Sequence, residues 1–423
     1  MLDFEAALAR AQAKSGVIPH DVATAIANHC DASRFDLFAI KNDAALAGNL
    51  AIPLVKQLTA LVAKDNLEAA KFVHWGATSQ DVIDTGLVLQ LRDGLNAVDQ
   101  NLTQLSQNLV TQIEQHRTTL MIGRTLLQHA LPITFGLKVA GWLDAVTRHR
   151  ERLSATRLQM LVLQFGGGAG TLGSLGDNAN TIAAALAREL DLALPAMPWH
   201  GERDRIVEVA ATLGLMTGTL GKIARDVSLC MQTDVGEIAE PSAPGRGGSS
   251  TMPHKRNPVG CATALCAAIR VPGLVSTLLS AMPQEHERGL GGWQAEWETL
   301  PEIFRLTSDA LKQMTDVISG LQVDANRMRS NLDRSNGLVM AEAVAMALAT
   351  PVGKSESHRL VEQACRKSVD ESRHLREILL EDKTVRAHIT PSDLEKLMDP
   401  ANYLGATQQF IDRVLNAAGH SKH

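Results

Sequence analysis

Along NLTQLSQNLVTQI, residues 101–113, the apolar positions are Leu102, Leu105, Leu109, Val110 and Ile113. That spacing puts them on one face of a helix and leaves Gln, Asn and Thr on the other. The same period runs from Ile206 to Glu237, from Ala262 to Leu279 and from Glu302 to Ile318. The first of these stretches exceeds an ordinary globular helix, and helices of that length imply a bundle. The tail, HITPSDLEKLMDPANYLGATQQFIDRVL, predicts two short helices split by a Pro-containing turn. Composition shifts near Asn101, where the long helices are expected to begin, and near Pro351, where charge density rises. They divide the chain into three expected regions: 1–100, 101–350 and 351–423.

Composition strengthens the helical reading. Aromatic residues are 3% of the chain, whereas strand-rich proteins draw on aromatic and β-branched residues, so the expected class is all-α. At 423 residues the chain exceeds one ordinary core unless long helices share an extended one. A net charge of -5 offers no basic field, so no nucleic-acid partner is expected. The opening MLDFEAALARAQAKSG mixes charges into its apolar residues, and nowhere do about eighteen uncharged apolar residues run together. No membrane partner and a cytoplasmic location are therefore expected. The 5 cysteines form no CxxC pair and are expected to be reduced.

Five segments carry candidate chemistry. In HWGATSQDVIDTG, Thr78 and Asp81 form a capping box ahead of an apolar run. The box can be a cap alone. It also sets His74, Thr78 and Ser79 beside a helix N-terminus, where free N–H groups favour carboxylates. GRTLLQHALPITFG brings Arg124, Thr125, Gln128 and His129 together, and His129 reads either as an interior residue or as a catalyst. FGGGAGTLGSLG contains GxGxxG at Gly168, Gly170 and Gly173. The upstream ERLSATRLQMLVLQ has a helical pattern and no strand–helix alternation follows, so a dinucleotide site is rejected in favour of a bend over a ligand or a helix break. PWHGERDR, containing Arg203, is either a solvated face or a polar-ligand segment. No metal-binding motif is present, so no metal is implied.

The fifth segment, GRGGSSTMPHKRNP, is not a plain linker, because Ser249, Ser250, His254, Lys255, Arg256 and Asn257 sit among its glycines and prolines. A serine becomes a useful base if a cation such as Lys255 favours its alkoxide and a mobile lid excludes water.

GSSTMPHKRNP resembles the signature of the fumarase/aspartase superfamily, G-S-S-x-M-P-x-K-x-N, at Gly248, Ser249, Ser250, Met252, Pro253, Lys255 and Asn257. HWGATSQDVIDT and GRTLLQHALP are similar to its other two active-site regions, in the expected order. The resemblance implies an all-helical, three-domain subunit with a twenty-helix core in a homotetramer, each active site being shared by three subunits. It implies no metal or organic cofactor. It also implies addition or elimination next to a carboxylate through an enediolate-like carbanion, with Ser249 as the proton-transfer residue.

Two branches compete: adenylosuccinate lyases and the bacterial 3-carboxy-cis,cis-muconate cycloisomerases. Where the lyases resemble ERDLSxSSxER, this chain has Gly289, Gly291, Trp293, Gln294 and Trp297. That replacement removes the groups that would solvate a phosphate and fills the space with indoles. Where many members have an acid–base His after GRT, this chain has Leu126. A lactonisation tolerates that loss, because a carboxylate can attack as an anion unaided. The expected substrate is a small tricarboxylate, with Ser249, Lys255 and His129 as catalytic candidates. His74, Thr78, Ser79, Thr125, Gln128, Arg203, Ser250, Met252, Asn257 and Arg288 are expected to bind it. The alternatives are a carbon–nitrogen lyase and a non-catalytic structural member, with a dinucleotide-dependent oxidoreductase a distant third.

Overall fold

The computed structural model describes residues 1–419. Helices α1 (Leu2–Lys14), α2 (His20–Ala27), α3 (Leu37–Ala47), α4 (Ala51–Asp65) and α5 (Leu67–Ala70) precede a long helix, α6 (Ser79–Gln115). A hairpin of β1 (Leu120–Thr125) and β2 (Gln128–Thr134) follows, then α7 (Phe135–Met160), α8 (Ala179–Glu189) and α9 (Asp204–Cys230). Next come β3 (Ile238–Ala239), α10 (Val259–Ala281), α11 (Gly292–Ser319), β4 (Gln322–Val323), α12 (Ala325–Asp333) and α13 (Ala341–Val352). The remaining helices are α14 (Lys354–Glu371), α15 (Leu375–Glu381), α16 (Lys383–His388), α17 (Pro391–Leu397) and α18 (Thr407–Ala417). Among the described residues the fold is all-α apart from two antiparallel two-stranded ladders, β1–β2 and β3–β4.

Helix α6 has 37 residues and is about 55 Å long. Val88, Leu91, Leu95, Val98, Leu102, Leu105 and Leu109 alternate at three- and four-residue steps, each no more than 3% exposed. This is the seam of a helix bundle. The helix begins at Ser79 and runs unbroken through Asn101, and Pro351 lies in the last turn of α13. The composition shift at Asn101 therefore falls inside a helix, whereas the one at Pro351 falls where α13 ends.

Two compact units are present. One comprises Met1–Gln100, Glu151–Leu215 and Arg270–Leu306, and has a core cluster that includes Ala9, Ile18, Ile26, Leu58 and Val62. The other comprises Asn101–Arg150, Met216–Ile269 and the chain from Thr307 on, and has a cluster that includes Leu332, Val344, Leu348, Leu375 and Leu394.

Two expected helices differ in extent. Helix α9 stops at Cys230 rather than Glu237, and the chain runs through turns from Met231 to Gly236, whose φ of 63° suits glycine. Helix α11 starts at Gly292 rather than Glu302 and takes in Trp293 and Trp297. The two short helices of the tail are α17 and α18, separated by a 3₁₀ turn at Pro400–Asn402.

Helices α9 and α10 are long and apolar enough to cross a membrane. The apolar stretch is 61% buried in α9 and only 22% buried in α10. Along α10, Ala262, Cys266, Ile269, Gly273, Ser276 and Ser280 form an exposed stripe at three- and four-residue steps.

Candidate active site

In the first unit, the capping box is built and has more partners than a cap needs. The Thr78 N–H donates to Asp81 Oδ2 at 3.0 Å, fixing the start of α6. Asp81 is fully buried and also accepts from Gly166 N (3.0 Å), Gly167 N (2.9 Å) and His200 Nε2 (2.8 Å). One carboxylate thus ties the helix N-terminus to the glycine-rich bend and to the PWH segment. A Cβ at Gly166 would sit 2.7 Å from the His200 ring, so the bend requires glycine there. The chain before the bend is extended only briefly, Val162 bridging to Ala193, and a 3₁₀ turn at Gly173–Asn178 follows it. This is not a strand–loop–helix dinucleotide cradle.

His74 has a φ of 60°, an unusual conformation for a residue with a side chain. Its Nδ1 lies 2.6 Å from Glu5 Oε1. Arg288 Nη1 donates to Thr78 Oγ1 at 3.1 Å, while Nη2 reaches the carbonyls of Gly167 and Gly168 at 3.3 and 3.0 Å. Arg288 therefore braces the mouth of the helix. Three of its five donors are thus spent on the protein, and the expected contact with substrate falls to the other two.

Arg203 is a plain correction. Its side chain is 0% exposed, and all five of its N–H donors are engaged by protein acceptors. Asp84 accepts at 2.7 and 3.1 Å, Glu296 at 2.9 and 2.6 Å, and the Trp199 carbonyl at 3.4 Å. No donor remains for a ligand, so Arg203 neutralises two buried carboxylates instead of binding substrate. Trp293 joins the same cluster, its Nε1 donating to Asp84 at 3.0 Å and its ring packing edge-on against Trp297 at 4.9 Å. Trp293 is thus a core residue, not the pocket-filling indole its sequence position implied.

In the second unit, the run containing Thr125 and Gln128 is a β-hairpin, with Thr125 opposite Gln128 and Arg124 opposite His129. Periodicity gave no sign of it. The two-residue tip, Leu126 and Leu127, has φ values of 51° and 64°, a turn normally filled by Asn-Gly. These leucines are 96% and 76% exposed. Strain of this kind in bulky residues marks a segment kept for function rather than for folding. Arg124 is held by Glu237, and Asn331 Nδ2 also donates to that carboxylate at 2.9 Å. Thr125, Gln128 and His129 line a cavity of about 890 Å³ with Ser335, Val339 and Glu342. Burial, then the Arg124 charge, lowers the pKa of His129, so its imidazole is neutral near pH 7.

The signature loop is closed at its base. Asn257 N donates to Gly247 O at 2.8 Å, and a Cβ at Gly247 would sit 2.5 Å from Asn257 O, so only glycine fits. Arg256 donates to the Glu240 carbonyl (2.6 Å) and to Gln322 Oε1 (2.9 Å). The buried Glu240 carboxylate accepts from Gly260 N (3.1 Å) and Cys261 N (2.8 Å) at the start of α10. Above this base, Ser249 Oγ accepts from Thr251 N at 3.3 Å and Met252 N at 3.1 Å. Backbone amides aimed at a hydroxyl stabilise its anion. Ser250, Met252 and Lys255 are exposed along the loop. Sequence pointed to Lys255 as the stabiliser of the serine, whereas the geometry supplies two amides.

Comparison with known proteins identifies the family. A family described as Lyase matches residues 1–273, and one described as Adenylosuccinate lyase C-terminus matches residues 337–414. A 3-carboxy-cis,cis-muconate cycloisomerase of Pseudomonas aeruginosa is 54% identical, across 100% of this chain and 93% of its own. One from Bradyrhizobium diazoefficiens is 53% identical, across 99% of this chain and 92% of its own. The crystal structure of the 3-carboxy-cis,cis-muconate lactonizing enzyme of Pseudomonas putida superposes with a TM-score of 0.94 at 52% identity, covering 99% of this chain and 93% of that one. With its signature loop, helix-mouth cluster and hairpin all in place, this chain belongs to the lyase family of the fumarase/aspartase superfamily.

Proposed function

We propose that this chain lactonises 3-carboxy-cis,cis-muconate to 4-carboxymuconolactone, a step in protocatechuate breakdown. The observation that carries the reading is its likeness, over the whole chain, to a P. aeruginosa enzyme of that name at 54% identity. Leu126 at the hairpin tip supports it, because the tip offers no acid to protonate a leaving group.

In the mechanism, the distal carboxylate attacks the ring-forming carbon. A C–O bond forms, and the alkene π pair moves into the neighbouring carboxylate as an enediolate. Ser249 then passes its proton to the adjacent carbon and becomes an alkoxide, which the Thr251 and Met252 amides hold until water reprotonates it. His74, Thr78, Ser79, Thr125, Gln128, Ser250, Lys255 and Asn257 bind the three carboxylates, and Met252 contacts the carbon skeleton. His129, neutral near pH 7, serves as a base or a hydrogen-bond donor rather than as a cationic acid.

The site is assembled in a homotetramer, with the helix mouth, hairpin and signature loop drawn from three different copies. The exposed stripe of α10 supports this, since its small residues let helices of neighbouring copies approach closely. The subunit divides into domains 1–100, 101–350 and 351–423, works in the cytoplasm and uses no cofactor.

The test mixes the purified chain with 3-carboxy-cis,cis-muconate and follows loss of the conjugated-diene absorbance, with adenylosuccinate run in parallel. Loss with the muconate alone is expected. Cleavage of adenylosuccinate alone would establish the second reading, to which the match of residues 337–414 points. Turnover of neither would leave a structural member of the superfamily.

A further inference from the structure

Helix α1 contains none of the superfamily's motifs, yet it carries a buried carboxylate with one partner. Glu5 is 1% exposed, between Phe4 at 0% and Ala6, Ala7 and Leu8 at no more than 8%. An apolar residue would pack there at lower cost, because a desolvated carboxylate loses several kcal/mol of hydration. Its Oε1 lies 2.6 Å from His74 Nδ1, and its Oε2 is buried without a hydrogen-bond partner among the described residues. His74 is itself strained, and Gly76 just after it is pinned, since a Cβ there would meet Leu175 at 2.6 Å. Backbone and carboxylate together fix one imidazole.

We propose that Glu5 is a positioning residue: it accepts Nδ1–H from the protonated His74 ring, leaving Nε2–H of that ring to be presented to a substrate carboxylate. The inference rests on the reading above, in which His74 binds the substrate. A carboxylate behind a histidine sets both its tautomer and its orientation. The charged groups facing the ring are Glu5 from α1 and Asp81 from the first turn of α6. Burial alone would lower the pKa of His74, but the hydrogen bond and charge of Glu5, aided by Asp81, outweigh it and raise the pKa. The ring is therefore cationic below that raised pKa and loses its charge as pH rises through it. Binding of a carboxylate by His74 follows the same course.

The test measures binding of tricarballylate, a saturated tricarboxylate, by calorimetry from pH 6 to 9, with KM for the muconate in parallel. Wild type, Glu5→Gln, Glu5→Asp, His74→Gln and the Glu5→Gln/His74→Gln double variant are compared. In Glu5→Gln the pH limb of binding should move to lower pH, weakening affinity on that limb about tenfold, with KM affected more than kcat. His74→Gln should abolish the limb, and the double variant should match His74→Gln alone. Glu5→Asp should keep the limb, and it decides the matter if Glu5→Gln does not fold. A Glu5→Gln protein with lowered Tm but an unmoved pH limb overturns the proposal, as does additivity of the two substitutions. Wild-type protein that binds tricarballylate but turns over no muconate would sink the assigned reaction and leave this inference standing on the binding data.

Discussion

The Glu237 carboxylate and the Arg124 guanidinium meet through paired bonds of 2.7 and 2.8 Å. The glutamate side chain is 0% exposed and the arginine 22% exposed. Arg124 precedes Thr125 and the strained Leu126–Leu127 tip, so this pair holds a costly turn in place. Three residues further along the chain, Glu240 secures the base of the signature loop.

Glu237→Gln leaves Arg124 half-satisfied beside a neutral amide. Breaking a buried pair from one side should cost about 3 kcal/mol, read as a lowered urea midpoint at fixed protein concentration. A loss below about 1 kcal/mol would mean that the hairpin is held by its backbone ladder alone.

How far the sequence reveals such a site depends on the distance between partners. The Thr78–Asp81 box was legible because both residues lie in one helical turn. The other partners of Asp81, at Gly166, Gly167 and His200, come from remote segments, and no local pattern announces them. The hairpin was hidden because its tip uses leucines where the turn rules ask for Asn and Gly. Arg203 misled for the same reason: a charged residue in a charged segment reads as surface, and its burial follows only from Asp84 and Glu296, distant in sequence. The signature loop was legible because charge and hydroxyls among its glycines mark it locally, although the amides serving Ser249 belong to its folded shape.

Arg203→Lys separates a structural role from a binding role. Lysine cannot reproduce the paired geometry toward two carboxylates, so the variant should lose about 3–5 kcal/mol of stability. The fraction that folds should keep the wild-type KM. Intact stability with KM raised tenfold would restore Arg203 to the substrate site.

Ile269 lies on the exposed stripe of α10 and is itself 76% exposed. Ile269→Asp places a charge where the proposed neighbouring copies meet, and a buried unpaired charge is strongly unfavourable. Sedimentation should show dissociation of the proposed tetramer, with activity falling more steeply on dilution than in wild type. An unchanged sedimentation coefficient would place the stripe outside the interface. A variant that no longer partitions into vesicles, where wild type does, would assign the stripe to a bilayer instead.

Ser249 is the remaining test of the chemistry. Its Oγ already accepts two backbone N–H groups, a placement that favours the alkoxide left after proton delivery and contributes little to binding a substrate already trianionic. Ser249→Ala should therefore lower kcat about 10³-fold, within the range for loss of a positioned proton donor, while KM changes far less. The comparison belongs in protein shown to be of wild-type assembly state, since the proposed shared site would be lost when subunits part. A correctly assembled Ser249→Ala enzyme within about tenfold of wild type would remove the serine from the proton path, and His129, lowered in pKa by burial and by Arg124, would become the group to test as the proton-transfer residue.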